Sequence, residues 1–596
     1  MPMNRRKFLT GTAAALAVAS LKPAFAAKNI SVLRTNTAAA IRPRFHSRHI
    51  PIELLNLQTP KGREVVRNGL CDTIKPDVLK RLRDLGVELV EMRFVWWEIE
   101  PESGRFDWTR ALRDMDAVLN AGLKIGMFAW FQYPPTWYDP ERTAHARLHA
   151  VGSNEESTVL SLWDPKTIEV YDRLLGISAD TLKGRLSFVY NAISGSYGEV
   201  EYGLAANHYK FSSPIGRYLL GDRCARASFA KELERKYGSV DALNKAWGSK
   251  ARSFDDDLIP KLPFENNSLQ QRDDCMQWST GSVLDFADSV CGLYKKHFPG
   301  IPGALPLGFV QEQISVGQIK SRAAKLAAKH GLTSRWTGCA VLGTFGRSNL
   351  LARRIASAAH FYRSPFGTEA ALTLEAGNAA NGLYESFANG ASLIHDDPEN
   401  IFRAIEVHKN LRSTLIVDPP KTSTVVFYPV EDNLLQIDGF SWETLINRCA
   451  ELRRVTDYDV CDSYMIRDGY LKGKRDLFLL VNSHLREDTA RAAVEFAATS
   501  GRIWFFGDSQ VAILHQPTTL DEMAAKRGLK VLGPDQVEPT GMYRFTDWRE
   551  TVPHVVRDVF RIPDDGQEHY RAMHWSHESC YFPSKQRFEI RERDNS

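Results

Sequence analysis

None of the eight cysteines, at 71, 224, 275, 291, 339, 449, 461 and 580, forms a C-x-x-C pair, and no Cys/His group has zinc spacing. A structural zinc is therefore not expected, and the cysteines read mostly as small buried hydrophobes. No G-x-G-x-x-G follows a predicted strand, and there is no Walker loop. A dinucleotide or phosphate site has no support. Charge of one sign is also lacking: 76 Lys and Arg meet 72 Asp and Glu, a formal +4. That is not the concentrated basic face of a nucleic-acid binder. Nowhere are there the ~18 consecutive apolar residues of a membrane helix. No cofactor, no metal, no nucleic-acid partner and no membrane contact of the mature chain are expected.

What is present is a globular composition over 596 residues, with 43% hydrophobic and 25% charged residues, enough for several domains. Aromatics are 10%, with 13 Trp, several of them near predicted strand ends. Indole faces hold the apolar faces of sugars, though they also fill cores.

Residues 4–10 carry Arg5-Arg6 followed by Phe8-Leu9. A mildly apolar run from Thr12 to Leu21 leads to Ala24-Phe25-Ala26, a small-x-small cleavage pattern. This looks like a twin-arginine export signal, so the mature chain is expected to begin near Ala27 and to work in the periplasm or beyond.

From residue 74 onward helical and strand patterns alternate. Ile74–Leu85, Arg110–Ala121 and Asn349–Tyr362 have helical periodicity. Val87–Trp97, Lys124–Phe131, Arg185–Ile193, Gly303–Phe309, Trp336–Leu342 and Ser392–Ile394 read as buried strands. Such repetition over ~350 residues predicts a parallel α/β sheet, and the length favours a (β/α)8 TIM barrel with chemistry at the C-terminal strand ends. Those ends carry acids, amides and aromatics: Trp96-Trp97-Glu98, Trp130-Phe131-Gln132, Ser194-Gly195-Ser196-Tyr197-Gly198-Glu199, and Ser364-Pro365-Phe366-Gly367-Thr368-Glu369.

The stretch from Arg93 through Trp96-x-x-Ile99-Glu100-Pro101, Gly104 and Phe106-Asp107-Trp108 to Pro134-Pro135-Thr136-Trp137 resembles the start of glycoside hydrolase family 42 β-galactosidases. Tyr237-Gly238, Leu243-Asn244 and Ala246-Trp247-Gly248 are similar to a helix of the same family. Val425–Asp508 resembles its flavodoxin-like trimerisation domain. The chain departs from the family at the acid: the usual Asn-Glu pair is absent, and Asn191 stands eight residues before Glu199. Gly195-Ser196-Tyr197-Gly198-Glu199 is more similar to the G-x-x-G-E motif of family 14 β-amylases. The resemblance implies residues 1–26 as signal, 27–418 as catalytic barrel, 419–535 as a flavodoxin-like domain of trimerisation type and 536–596 as a small β-rich region. It also implies a carbohydrate substrate and a homo-oligomer, a trimer by resemblance.

Glycoside cleavage needs one protonated acid and one carboxylate acting as nucleophile or base. Glu199, after a strand and a Gly-rich turn, is the expected acid/base. The second carboxylate is Glu369, which matches a Thr-Glu ending at strand seven of barrel glycosidases, or Glu375, which ends Ala370–Glu375 and also suits the first turn of a helix. Arg93 is expected to keep the nucleophile ionised or to form a barrel-wall ion pair. Asn191 is a hydrogen-bonding candidate. Trp96, Trp130, Trp137, Tyr197 and Trp278 are stacking candidates. Glu100 reads as structural, Asp396 and Asp397 as helix caps, and His395 as a ligand group or a rim histidine. A glutamine amidotransferase reading of the flavodoxin-like region fails, because Leu477–Val481 runs into Asn482-Ser483-His484 with no cysteine. The expectation is thus an exported glycosidase hydrolysing O-glycosyl bonds, with β-galactoside first. The alternative is a catalytically inactive carbohydrate-binding barrel.

Overall fold

The computed structural model describes residues 44–49, 56–59, 62–65, 74–141, 143–152, 156–195, 197–202, 219–261, 266–308, 317–337, 345–369, 386, 389–407, 422–555, 570–573, 577–582 and 587–592. The leader and Glu375 lie outside them. Eight parallel strands close a barrel. They are β1 (Arg44–His49), β2 (Leu89–Val95), β3 (Lys124–Trp130), β4 (Phe188–Tyr190), β5 (Gly303–Pro306), β6 (Thr333–Thr337), β7 (Phe366–Glu369) and β8 (Ala391–Asp396). Strand β1 pairs with both β8 and β2, which shuts the ring.

Side-chain alternation along the strands separates two cores. Leu89, Phe128, Phe188, Tyr190, Ala192, Ala304 and Leu393 pack inside the barrel. Val90, Met92, Phe94, Ile125, Met127 and Val189 point outward into the larger core under the helices. The covering helices include α1 (Pro76–Asp84), α2 (Thr109–Asn120), α3 (Lys166–Thr181), α4 (Leu269–His297), α5 (Lys320–His330), α6 (Phe345–Tyr362) and α7 (Pro398–Val407). Their ends follow ordinary capping rules. In α4 the Ser268 hydroxyl accepts from Gln271 N, and Lys295, Lys296 and His297 fill the last turn, where cations suit the helix dipole.

Two barrel strands were not expected as strands. Strand β1 reads Arg-Phe-His-Ser-Arg-His and offers no apolar run. Phe366–Glu369, expected as a turn after a helix, is β7 itself. Trp96–Ile99, placed partly in the first expected strand, is instead a single helical turn after β2.

A second sheet of six parallel strands follows: β9 (Thr424–Phe427), β10 (Asp459–Cys461), β11 (Asp476–Leu479), β12 (Arg502–Phe506), β13 (Val531–Leu532) and β14 (Gly541–Phe545). Their order is β10-β9-β11-β12-β14-β13. The first four strands follow the 2-1-3-4 order of flavodoxin-like sheets. The boundary expected at 535 falls inside this sheet, because Gly541–Phe545 pairs in parallel with Arg502–Phe506. Tyr543-Arg544-Phe545, which reads from sequence as a short strand of a separate tail, is part of β14. The tail proper contains an antiparallel sheet of β15 (Tyr570–Met573), β16 (His577–Phe582) and β17 (Arg587–Glu592). Among the described residues no helix is long and apolar enough to cross a membrane. Cys275, Cys291, Cys449 and Cys461 are buried free thiols, and Cys224 is half-buried.

Candidate active site

Charged residues at alternate positions of an apolar strand point the same way. In β2 that puts Glu91 and Arg93 inside the barrel behind Leu89. Arg93 Nε donates to Glu91 Oε1 at 2.8 Å. Arg335 of β6, fully buried, reaches in from across the ring. Its Nη2 lies 2.6 Å from Glu369 Oε2, and its Nη1 lies 3.5 Å from Glu91 Oε2. The strand register sets Thr337 beside Glu369 and Glu369 beside His395. Thr337 Oγ1 donates to Glu369 Oε2 at 3.0 Å, and Arg93 Nη2 is 3.5 Å from Glu369 Oε1. Glu369 therefore sits at the C-terminal end of β7 with two guanidiniums and a hydroxyl on its oxygens. That environment favours the carboxylate.

Beneath it, His395 Nε2 lies 3.1 Å from Glu91 Oε2, and the imidazole stacks on Tyr190 with centroids 5.1 Å apart. Burial pushes the Glu91 carboxyl up, against the pull of Arg93. Glu91, Glu369 and His395 each offer a ligand atom within 4.8 Å of the others, a spacing a metal ion would accept. The Arg93 and Arg335 guanidiniums already occupy that cluster as the carboxylates' cations, so its donor set reads as an ion-pair network.

Glu199 comes from the turn after β4. Gly198 has φ 84°, and a Cβ there would lie 2.9 Å from both Ala192 and Phe128. Only glycine can bring this backbone so close to the barrel interior. The result is a Glu199 side chain that is 2% exposed and accepts a hydrogen bond from Tyr197 N at 3.1 Å. Burial first, and then the Glu369 charge, raise its carboxyl to about 7; Arg335 and Arg93 pull the other way. So one carboxyl at this end of the barrel is raised toward neutrality while its neighbour is surrounded by cations and a hydroxyl donor.

The expected stacking residues divide. Trp130, at the end of β3, lies under Arg93, whose guanidinium carbon is 4.7 Å from its ring centroid. Tyr197 packs edge-on against Trp130 at 6.0 Å and is 39% exposed. These two rings rim the mouth beside Glu199. Trp96, Trp137 and Trp278 do not. Trp96 is fully buried, and its Nε1 donates to Glu100 Oε2 at 2.6 Å. Trp137 Nε1 donates to the Glu100 carbonyl at 2.9 Å. Arg173 of α3 clamps the same carboxylate through two bonds of 3.0 and 2.8 Å. Burial would raise the Glu100 carboxyl, but these donors outweigh it and lower it. Trp278 stacks on Trp163 at 5.3 Å in the helical layer and donates to Ser228.

Asn191 is also displaced from its expected role. It lies one residue past β4 with the outward parity of Val189, and its amide faces the Cys291 thiol of α4. Asp396 Oδ1 accepts from Asp397 N at 2.7 Å and from Asn400 Nδ2 at 2.9 Å, at the start of α7. Glu98 pairs with Arg110 at 2.8 Å outside the barrel. Sequence reading missed Glu91, Arg335 and Thr337. The signal was there for the first two: a charge inside an otherwise apolar strand, in Val-Glu-Met-Arg-Phe and Ser-Arg-Trp.

No protein-family model matches the chain. A β-galactosidase of Thermus thermophilus is 25% identical over 233 residues, which span 37% of this chain and 33% of that enzyme. A β-amylase of Cytobacillus firmus is 26% identical over 195 residues, spanning 30% of this chain and 41% of that protein. The chain thus spans well under half the length of these curated relatives. Among solved structures, β-galactosidase from Rahnella sp. R3 superposes with a TM-score of 0.66 at 12% identity, covering 91% of this chain and 93% of the other. The chain has the fold of these barrel enzymes and resembles family 42 β-galactosidases, with a β-amylase-like relation.

Proposed function

We propose that this chain is a glycoside hydrolase that cleaves O-glycosidic bonds of an oligo- or polysaccharide outside the cytoplasm. The observation that carries the reading is the unequal carboxyl pair. Glu199 is buried with its carboxyl raised to about 7, while Glu369 carries the Arg335 and Arg93 guanidiniums and the Thr337 hydroxyl on its oxygens. In the bond-breaking step Glu199 gives its proton to the glycosidic oxygen as the bond to the anomeric carbon breaks. Glu369 then attacks that carbon, or takes a proton from the attacking water. Trp130 and Tyr197 offer flat apolar faces to the sugar beside the acid. The relatives make a β-galactoside the first substrate to try. The Arg5-Arg6 leader is the basis for export by the twin-arginine route, and the flavodoxin-like domain is the basis for expecting a homo-oligomer.

The test is hydrolysis of a broad glycoside and polysaccharide panel by the mature protein, with Glu199→Gln, Glu369→Gln and Glu375→Gln alongside. Cleavage of one substrate, lost in Glu199→Gln and Glu369→Gln while both variants stay folded, is the expected result. Persistent turnover in Glu199→Gln would reject it as the acid. Loss in Glu375→Gln rather than Glu369→Gln would move the second carboxylate. Sugar binding without cleavage would instead mark a carbohydrate-binding barrel.

A further inference from the structure

Two residues past the acid, Glu201 turns back into the barrel wall. It is 3% exposed, and its backbone N–H donates to the Glu199 carbonyl at 2.9 Å. Gly195, at φ 68°, makes the room: a Cβ there would lie 2.7 Å from Glu201 Cγ. From the opposite side comes Lys320, the first residue of α5, only 2% exposed. Its ammonium donates to the Leu307 carbonyl and to Gln318 Oε1. All three side chains meet over Gly308. A methyl group placed on that glycine would lie 3.2 Å from Glu201 Oε2, 3.3 Å from Lys320 Nζ and 3.5 Å from Glu199 Cγ.

Nothing in the proposed acid–carboxylate mechanism uses Glu201 or Lys320, yet burying both groups is costly. We infer that Glu201 and Lys320 are positioning residues for Glu199: together they wall the acid on its Gly308 side, with the buried ammonium as the cation of that wall. This rests on the reading of Glu199 as the acid. Burial, and then the Glu199 charge, push the Glu201 carboxyl well above the ordinary range, with Lys320 pulling it down. A neutral Glu201 adds no second negative charge beside Glu199. The other charges facing Glu199 are Glu369 from β7, Arg335 from β6 and Arg93 from β2.

The test is a pH titration of the full-length protein read by its carboxyl infrared band, with the difference from Glu199→Gln isolating Glu199. A pH–rate profile on a cleaved glycoside runs beside it. Lys320→Met should move the Glu199 titration, and the alkaline limb of the profile, upward, the direction expected when a nearby cation is lost. Lys320→Arg should restore both. Glu201→Gln, which copies the protonated carboxyl, should leave the Glu199 midpoint in place. An unmoved titration in folded Lys320→Met overturns the inference. A midpoint that falls in Glu201→Gln also overturns it, since an ionised Glu201 would then have been raising it. If Lys320→Met does not fold, Lys320→Gln, which keeps a donor for the Leu307 carbonyl and Gln318 but removes the charge, takes its place, and the same upward shift decides the matter. The infrared titration needs no substrate. A Glu199 titration that answers to Lys320 in a protein that cleaves no glycoside would leave this pairing standing and the hydrolase reading fallen.

Discussion

Buried arginines and carboxylates gather in two places, at the barrel mouth and at the seam between the barrel and the second sheet. At the seam, fully buried Arg353 of α6 donates to both oxygens of Asp457 at 3.2 Å. Its Nη1 lies 3.7 Å from Asp459 Oδ1 at the start of β10. Lys474 donates to the other Asp459 oxygen at 2.7 Å, and Arg453 also pairs with Asp457. Burial alone would raise Asp459, but Lys474 and Arg353 outweigh it and lower its carboxyl. At the mouth the same residue types leave Glu199 and Glu91 raised. The seam sets three cations against two carboxylates, and Asp459 is lowered. The mouth sets Glu91, Glu199 and Glu369 near only two guanidiniums, and burial leaves the first two raised. A buried ion cluster is therefore not by itself a sign of chemistry; one with more carboxyls than cations, and with raised carboxyls, points toward it.

The comparison breaks most severely at Glu369. Glu369→Gln removes the ionised partner and leaves Arg335 facing a neutral amide. We expect kcat to fall beyond the ~10²–10⁴-fold typical of losing a general acid, in steady-state assays on the best glycoside of the panel. Glu199→Gln should fall within that ~10²–10⁴ range. The loss should shrink on aryl glycosides whose leaving group needs no proton. Equal losses on good and poor leaving groups would argue against Glu199 as the acid.

At the seam the expected effect is on stability. Arg353→Met strands Asp457 and Asp459 in a buried setting, for which a cost of about 3–5 kcal/mol is typical. Denaturant melts should show it, while kcat per folded molecule stays near the wild-type value because Arg353 lies on α6 against the second sheet and not on a barrel strand. A fall in kcat at unchanged stability would show that the seam and the mouth are coupled.

Much of this was legible in the sequence. Apolar strands alternating with helical periodicity announced the barrel, and Gly-x-x-Gly-Glu pointed to Glu199, a carboxyl that the fold buries near Glu369. The parts that were not legible have physical reasons. Strand β1 carries no hydrophobic signature, since Arg44, His46, Arg48 and His49 leave only Phe45 apolar. Asn191 faces Cys291 instead of a sugar because one step along a strand reverses the side chain. Trp96, Trp137 and Trp278 are large and polar-tipped, so sequence cannot tell a rim platform from a core residue whose indole N–H has found an acceptor. The partners of Glu369 come from β2 and β6, hundreds of residues apart in the case of Arg93, and only closure of the ring brings them together.

The smallest predicted effect separates the two clusters by pH. Glu199 has its folded-state carboxyl raised to about 7 from the ordinary 4.5. The folded state thus binds that proton more tightly than the unfolded chain does. The stabilisation is fully present below the ordinary carboxylate range and is lost as pH rises through 7. Asp459, with its carboxyl lowered, works in the opposite sense. Its contribution is present above its ordinary range and is lost as pH falls through the folded value. Glu199→Gln removes only the first effect. Its melting temperature should exceed that of the wild type above pH 7, and the gap should close as pH drops toward the ordinary carboxylate range. Asp459→Asn should show the converse, a deficit at neutral pH that shrinks on acidification. Parallel melting curves for Glu199→Gln and wild type across that span would mean that Glu199 does not store a proton, and the distinction between the two clusters would then rest on position alone.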